Sequence, residues 1–167
     1  MTPSGSWSIL IYINDLPQHI LDGLLVIYAD DTQILLTGDI DKINELIKRA
    51  ENVLSAASEY FNANGLLLNE NKTQIIFFGS RQYISRIPEN ISLKFNNIML
   101  KPTNQVKNLG VFMDSNMTFQ VHIDELRKKV TGTLLYLNRI CDNFEPECRV
   151  LVVQSLVLSI LNYCLRV

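Results

Sequence analysis

Two adjacent aspartates, Asp30 and Asp31, stand between two short apolar runs, LLVIY at 24–28 and QILLT at 33–37. Two such runs with a short polar break predict a β-hairpin whose tip carries both carboxylates. The break lacks the Asn-Gly or Asp-Gly pair that favours a tight turn, which suggests that the tip is selected for chemistry. Neighbouring carboxylates repel each other, and a divalent cation removes that repulsion. A metal site is therefore one interpretation of the pair, and a solvated turn is the other.

The composition argues against several other kinds of site. The three cysteines are an odd number without close pairs, and the two histidines, His19 and His122, are far apart in the chain. These counts argue against a disulfide partner, a structural zinc site and a histidine-based catalytic centre. The apolar segment 150–165 is interrupted by polar residues and is shorter than the ~20 apolar residues that a membrane span needs. We therefore expect an intracellular protein with no membrane partner.

The charges are distributed unevenly along the chain. Residues 1–70 contain three Lys or Arg against ten Asp or Glu, a net charge of −7, whereas residues 71–167 contain twelve against seven, a net charge of +5. An acidic part followed by a basic part indicates a site for cations in one place and for polyanions in another. The alternative interpretation of this asymmetry is a chance distribution of solvated surface charges. Between residues 72 and 107 the sequence has a single acidic residue, Glu89. The same segment contains six basic residues: Lys72, Arg81, Arg86, Lys94, Lys101 and Lys107.

Hydrophobic periodicity predicts the elements that surround the hairpin. A helix capped by Asp39 or Asp41 is expected to end at Asn64-Gly65. A second helix is predicted by apolar residues spaced by three or four, namely Ile123, Leu126, Val130, Leu134, Leu137 and Cys141. A third is predicted over 146–163, and further strands are predicted at 73–78, 91–95, 98–101 and 106–112. Asn96-Asn97 is predicted to form a tight hairpin turn between the strands at 91–95 and 98–101. This order predicts an α+β fold with a mainly antiparallel sheet and packed helices.

Four motifs occur in an order that resembles the reverse transcriptases of non-LTR (LINE-like) retrotransposons. Tyr28-Ala29-Asp30-Asp31 resembles their YADD signature, and the segment 11–17, IYINDLP, resembles the segment that leads toward it. GLLLN at 65–69 with Lys72-Thr73 resembles their GLxLNxxKT motif. NLGV at 108–111 resembles the LGV segment of their primer-grip region, and the pattern of the helix that follows is matched by Phe119, His122 and Ile123.

The resemblance implies a fold and a set of catalytic residues. Residues 1–112 would be a partial polymerase palm, and residues 113–167 a truncated helical connector or thumb-like segment. Asp30 would coordinate the catalytic Mg²⁺ (or Mn²⁺) ions, with Asp31 beside it in a supporting role. Lys72 would neutralise or protonate the departing pyrophosphate. Phosphoryl transfer consists largely of positioning and charge stabilisation, so carboxylates and cations suffice for it.

The resemblance also implies partners. Leu109 and Gly110 would lie where the primer terminus is held, and Lys94, Lys101 and Lys107 would contact the backbone of the primer–template. The implied partners are an RNA template, a DNA primer and deoxynucleoside triphosphates. The nucleus is a candidate compartment by the same resemblance.

The family also has parts that this sequence does not match. In the family a third metal-binding carboxylate lies on a strand upstream of the PQG motif. The segment PSGS at 3–6 resembles that motif, with Ser4 in place of its glutamine. No segment matches that strand or the nucleotide-binding fingers. We therefore interpret the chain as a fragment of an RNA-directed DNA polymerase that catalyses nucleotidyl transfer in its full-length parent and is inactive alone. The alternatives are a catalytically silent nucleic-acid-binding remnant and a merely structural remnant of a retroelement.

Overall fold

A computed structural model describes residues 13–140 and 144–163. The chain divides into two compact units between Thr103 and Asn104. The sequence places the boundary between the palm-like and thumb-like segments further along, after residue 112, and the assignment of those segments stays a prediction. The PSGS segment, the first two residues of the IYINDLP segment, Cys141 and Cys164 lie outside the described residues.

The first unit combines one long helix with two hairpins and short helical turns. Two 3₁₀ turns cover Ile40–Lys42 and Glu70–Lys72. The regular elements are α1 (Leu16–His19), β1 (Leu24–Tyr28), β2 (Asp31–Leu35), α2 (Ile43–Ala63), α3 (Arg81–Ile84), β3 (Leu93–Phe95) and β4 (Ile98–Leu100).

Helix α2 supports the core of the first unit. Its residues Val53, Ala57, Tyr60 and Phe61 recur at helical spacing, are buried, and pack with Ile13, Leu16 and Ile20. The predicted stop at Asn64-Gly65 is confirmed, because Gly65 takes a φ of 70°. The predicted position of the start is confirmed at Asp39, the N-cap residue of the turn that runs into α2, but the predicted cap by an aspartate side chain is wrong. The turn Ile40–Lys42 precedes the helix, and no side-chain hydrogen bond from Asp39 or Lys42 caps either element.

The β1–β2 hairpin is antiparallel and apolar on both faces. Its register pairs Leu24 with Leu35 and Tyr28 with Asp31, so its loop has only two residues, Ala29 and Asp30. Leu25, Ile27 and Ile34 pack on the core, whereas the outward side chains of Leu24, Val26, Tyr28 and Leu35 are exposed. The second strand begins two residues earlier than the sequence predicts, so Asp31 lies in strand β2 rather than in the turn.

Two predicted strands have a different structure. The segment 73–78 forms no strand, although the Thr103 amide donates a hydrogen bond to the Ile75 carbonyl at 2.8 Å. The predicted strand 106–112 is instead the hairpin of β5 (Gln105–Asn108) and β6 (Val111–Asp114). Leu109 and Gly110 break it with φ of 45° and 86°. The predicted turn at Asn96-Asn97 is confirmed between β3 and β4, with Asn96 at φ 49°.

The second unit places the β5–β6 hairpin beside two long helical segments. Helix α4 covers Gln120–Ile140. The last segment consists of α5 (Pro146–Val153), a π-helical turn (Gln154–Leu158) and α6 (Ser159–Asn162), close to the predicted 146–163. The apolar stripe predicted on α4 is only partly covered. Leu137 is buried, but Ile123 and Leu134 are exposed.

A tight loop joins the hairpin to α4. The Asp114 carboxylate accepts hydrogen bonds from the backbone amides of Asn116, Thr118 and Phe119 and from the Thr118 hydroxyl. Burial raises the pKa of Asp114, but these hydrogen bonds together hold it below its usual value. His122 is buried at the start of α4, where its Nδ1 accepts the Phe112 amide at 3.5 Å.

The sequence predicts one mainly antiparallel sheet, whereas the described residues form three separate two-stranded antiparallel sheets. The polymerase-palm assignment therefore stays a prediction. No helix within 13–140 and 144–163 has the length and apolar character to cross a membrane. Cys148 is exposed and carries a free thiol.

Candidate functional site

The candidate metal site lies at the tip of the β1–β2 hairpin. Asp30 is the second residue of the two-residue loop, and Asp31 opens strand β2 opposite Tyr28. Both aspartates are exposed. Ala29, the first loop residue, takes a φ of 54°, which is unfavourable for a residue with a Cβ. The tip therefore combines two adjacent carboxylates with local backbone strain.

The electrostatics of the tip suit a cation. In the part of the chain that the structure describes, no ion pair joins Asp30 or Asp31 to a Lys or Arg side chain. Carboxylate oxygens are the ligands that Mg²⁺ prefers. Among the same residues no group of three His, Cys, Asp or Glu side chains is close enough to hold a metal. The tip thus presents two adjacent exposed carboxylates, and their role as metal ligands stays a prediction.

Arg49 fixes both ends of this hairpin and was missed by the sequence reasoning. Its guanidinium donates to both carboxylate oxygens of Asp22, each at 2.7 Å, and to the Thr37 carbonyl at 2.9 Å. Asp22 precedes β1 and Thr37 follows β2, so one side chain of α2 holds the base of the hairpin. The hydrogen bonds from Arg49 lower the pKa of Asp22 below its usual value.

Asp15, in the INDLP segment, has a structural partner. The Tyr60 hydroxyl of α2 donates a hydrogen bond to Asp15, and this bond lowers the pKa of the carboxyl group. His19 packs on Tyr60 with their ring centroids 4.9 Å apart. The segment therefore attaches α1 to α2, the helix that also holds the hairpin. No local pattern signals this contact, because it joins residues 45 positions apart.

Lys72 ends the 3₁₀ turn Glu70–Lys72 and is exposed. The turn is attached to the rest of the unit through Asn96. The side-chain Nδ2 of Asn96 donates a hydrogen bond to the Glu70 carboxylate at 2.9 Å. The Oδ1 of Asn96 accepts a hydrogen bond from the Ser58 hydroxyl at 3.3 Å. Asn96 thus links the Lys72 turn, helix α2 and the β3–β4 turn. The sequence reasoning identified Asn96 only as a turn residue.

The lysines predicted to contact nucleic acid lie in both units. Lys94 and Lys101 are exposed in the first unit. The backbone amide of Lys94 donates a hydrogen bond to the Glu51 carboxylate at 2.8 Å, and the Lys94 ammonium group takes no part in this bond. Arg86 pairs with Asp41. Lys107 belongs to the second unit and lies over the Phe112 ring, 5.3 Å from its centroid. Asp30, Asp31, Lys72, Lys94 and Lys101 therefore share one compact unit.

The turn predicted to hold the primer terminus has a partner within its own unit. The Tyr163 hydroxyl donates to the Leu109 carbonyl at 2.9 Å. A Cβ added to Gly110 would come within 3.2 Å of the Tyr163 ring. Gly110 is thus required by its φ of 86° and by this close approach. The role of Leu109 and Gly110 in binding nucleic acid stays a prediction.

A curated relative links the chain to mobile elements. The chain is 26% identical over 114 residues to a protein of Nasonia vitripennis named as the retrovirus-related Pol polyprotein from type-1 retrotransposable element R1 3. This similarity supports a retroelement origin. The alignment covers 68% of this chain but only 29% of the relative. No family model matches the chain, and no solved structure matches it significantly.

Proposed function

We propose that this chain is part of a non-LTR retroelement reverse transcriptase and carries carboxylates of its nucleotidyl-transfer centre. The observation that carries the proposal is the exposed Asp30-Asp31 pair at a strained two-residue hairpin tip. Backbone strain and adjacent like charges both oppose folding, and such costs concentrate at functional sites. The similarity to a retrotransposon Pol polyprotein supports the same assignment.

In this proposal Asp30 and Asp31 hold Mg²⁺ or Mn²⁺, with the remaining carboxylate supplied by another segment of the polymerase. When bound, the ions stabilise the charge that develops on the attacking and leaving oxygens. The chain's own contribution is positional. Arg49 holds the base of the hairpin on α2, and the loop and the first residue of β2 present the Asp30 and Asp31 carboxylates to solvent. Lys72 supplies a cation for the leaving pyrophosphate.

The proposed nucleic-acid partners are an RNA template and a DNA primer. Lys94 and Lys101 are exposed and make no ion pair with a described acid, so both ammonium groups are free to contact phosphates. Their binding would release counterions and weaken as salt is added. Lys107, Leu109 and Gly110 add contacts from the second unit.

Nucleotide incorporation on a primed RNA template tests the proposal. We expect no incorporation by the 167-residue chain and measurable incorporation when the upstream palm and fingers are joined to it. Asp30→Ala should abolish activity in the longer protein. Asp39→Ala is the matched control, because Asp39 is exposed and makes no capping hydrogen bond. Activity of the short chain, or indifference of the longer protein to Asp30→Ala, would contradict the proposal.

A catalytically silent nucleic-acid-binding role is the second candidate. It is favoured by two observations on the described residues: no group of three His, Cys, Asp or Glu side chains could hold a metal, and the basic residues between 72 and 107 are exposed. Binding of an RNA–DNA duplex at several salt concentrations separates this role from a purely structural one. Lys94→Gln and Lys101→Gln should each reduce the salt dependence of affinity. No binding at low salt would leave a structural remnant as the remaining interpretation.

A further inference from the structure

An open groove of about 650 Å³ runs between α4 and the last helical segment of the second unit. One wall is formed by Lys128, Lys129, Gly132 and Tyr136 of α4. The other wall includes Leu156 of the π-helical turn and Ile160 of α6. None of the residues that line the groove belongs to the proposed metal site.

The charged residues that line the groove are two lysines, Lys128 and Lys129. Residues 126–140 contain four Lys or Arg and no Asp or Glu, and residues 150–163 contain no charged residue. Lys128 is paired with Glu125 at 2.8 Å, whereas no described acid forms an ion pair with Lys129. The groove is therefore a mostly apolar surface with a positively charged edge at Lys129.

Gly132 keeps the groove open. A Cβ added to it would have no atom within 4 Å, so the fold does not require a glycine here. Glycine is nevertheless the poorest helix former apart from proline, and Gly132 lies in the interior of α4. Its missing side chain exposes the helix backbone along the groove, which allows another backbone to approach closely.

The opposite wall is a helix with unused apolar surface. The segment from Val150 to Tyr163 buries Val157 but exposes Leu151, Leu156 and Leu158. Several large apolar side chains that a helical segment leaves exposed commonly mark an interaction surface. The π-helical turn Gln154–Leu158 lies in this wall, and such turns frequently mark functional sites.

We propose that this groove binds an amphipathic helix with an apolar stripe and an acidic flank. The stripe would cover Tyr136, Leu156 and Ile160, and the acids would face Lys128 and Lys129. Helix-in-groove recognition uses apolar anchors at i, i+3 or i+4, and i+7, with charge setting the orientation. A phosphate backbone fits less well, because it would place charges against the apolar wall and bury nothing there.

The test uses the full chain and a fluorescein-labelled helical peptide of about five turns. The peptide has Leu at i, i+4 and i+7 and Glu on both flanks; its matched control has Lys in place of Glu. We expect micromolar binding of the acidic peptide, measured by fluorescence anisotropy, and at least about tenfold weaker binding of the basic one.

Two variants test the location of the site. Gly132→Leu fills the groove and is a better helix former, and Lys129→Glu reverses the charge of its edge; each should weaken binding at least about tenfold. Lys48→Glu makes the same charge change at an exposed lysine of helix α2 in the first unit and should leave binding unchanged. Equal binding of both peptides, no binding, or insensitivity to Gly132→Leu would overturn the proposal. An RNA–DNA duplex that binds more tightly with the same sensitivity to both variants would overturn it in favour of nucleic acid.

Discussion

Ala29, Asp30 and Asp31 are consecutive residues with different structural settings. Asp31 belongs to strand β2 and is held by the hairpin register, whereas Asp30 is held only by the loop. The loop requires a positive φ at its first residue, which glycine, asparagine or aspartate normally provides. Here that residue is Ala29, with a φ of 54°. The strain is therefore carried by the residue beside the carboxylates rather than by the carboxylates themselves.

Ala29→Gly should stabilise the protein by about 0.5–1 kcal/mol, because relief of the left-handed strain exceeds the added entropy of the unfolded chain. Urea denaturation measures the difference. Ala56→Gly, the same substitution in the interior of helix α2, should destabilise by about 1 kcal/mol. A loss of stability on Ala29→Gly would show that the alanine methyl group makes a contact worth more than the strain.

The Asp22–Arg49 pair predicts a dependence of stability on pH. Folding lowers the pKa of Asp22 below 3.8 through the hydrogen bonds from Arg49, so folding favours the ionised carboxylate. The stabilisation is therefore complete above the unfolded pKa and is lost as the pH falls through the folded pKa. Asp22→Asn should lower the thermal midpoint at pH 7, and its difference from the unchanged protein should shrink below about pH 4.

Asp39→Asn is the control for this experiment, because it removes an exposed carboxylate that makes no capping hydrogen bond, and it should leave the thermal midpoint at pH 7 unchanged. If the effect of Asp22→Asn persists undiminished to the lowest pH at which the protein folds, the carboxylate charge is not what stabilises the hairpin base.

At the scale of elements, the hairpins share the same loop geometry. Each of the three hairpins within residues 13–140 and 144–163 has a two-residue loop whose first residue has a positive φ, at Ala29, Asn96 and Leu109. Only the asparagine is a residue that commonly adopts this conformation. The loop at 109–110 offsets its strain through Tyr163, which donates to the Leu109 carbonyl and covers Gly110.

Gly110→Ala should destabilise the second unit by at least about 1–2 kcal/mol, from the positive φ and from the approach of the new Cβ to the Tyr163 ring. In a Tyr163→Ala background the contact disappears but the φ strain remains, so the cost of Gly110→Ala should be smaller. Denaturation of the four proteins in this double-mutant cycle gives the coupling. Gly132→Ala, at a right-handed helical glycine in open space, should instead stabilise by about 1 kcal/mol. Additive effects of Gly110→Ala and Tyr163→Ala would rule out the contact.

At the scale of the whole molecule, the retroelement origin rests on similarity over 68% of the chain, and that alignment spans less than a third of the relative. The acidic carboxylate pair belongs to the first unit, and the cationic groove belongs to the second. Metal binding and partner binding are therefore testable separately on the same chain.

The chain should bind Mg²⁺ or Mn²⁺ only weakly, with a dissociation constant of about 1 mM or higher. Mg²⁺ in proteins is usually bound by carboxylates together with water molecules and substrate phosphates. In this chain two adjacent carboxylates would have to bind the ion without a substrate phosphate or a third nearby carboxylate from the described residues. Isothermal titration calorimetry measures the affinity, which Asp30→Asn should abolish and Asp39→Asn should leave unchanged. Sub-micromolar affinity that is lost on Asp30→Asn would show that the chain already holds a complete metal site.

The sequence alone determined the elements whose signals are local. Helices α2 and α4 follow from a 3.6-residue period of apolar residues, and the β1–β2 hairpin follows from two apolar runs around a polar break. Local signals failed where a turn uses unusual residues. The split of 106–112 into two strands depends on Leu109 at a positive φ, which its residue type does not indicate.

Only the tertiary structure decided how the candidate site is supported. Arg49 is 27 residues from Asp22, Tyr60 is 45 from Asp15, and Tyr163 is 54 from Leu109, so no window of sequence contains both partners. Such contacts depend on which helix face packs on which strand, and that choice is made by burial of the shared core. The sequence therefore identified the carboxylates that could bind a metal, and packing around α2 determined which side chains hold their hairpin.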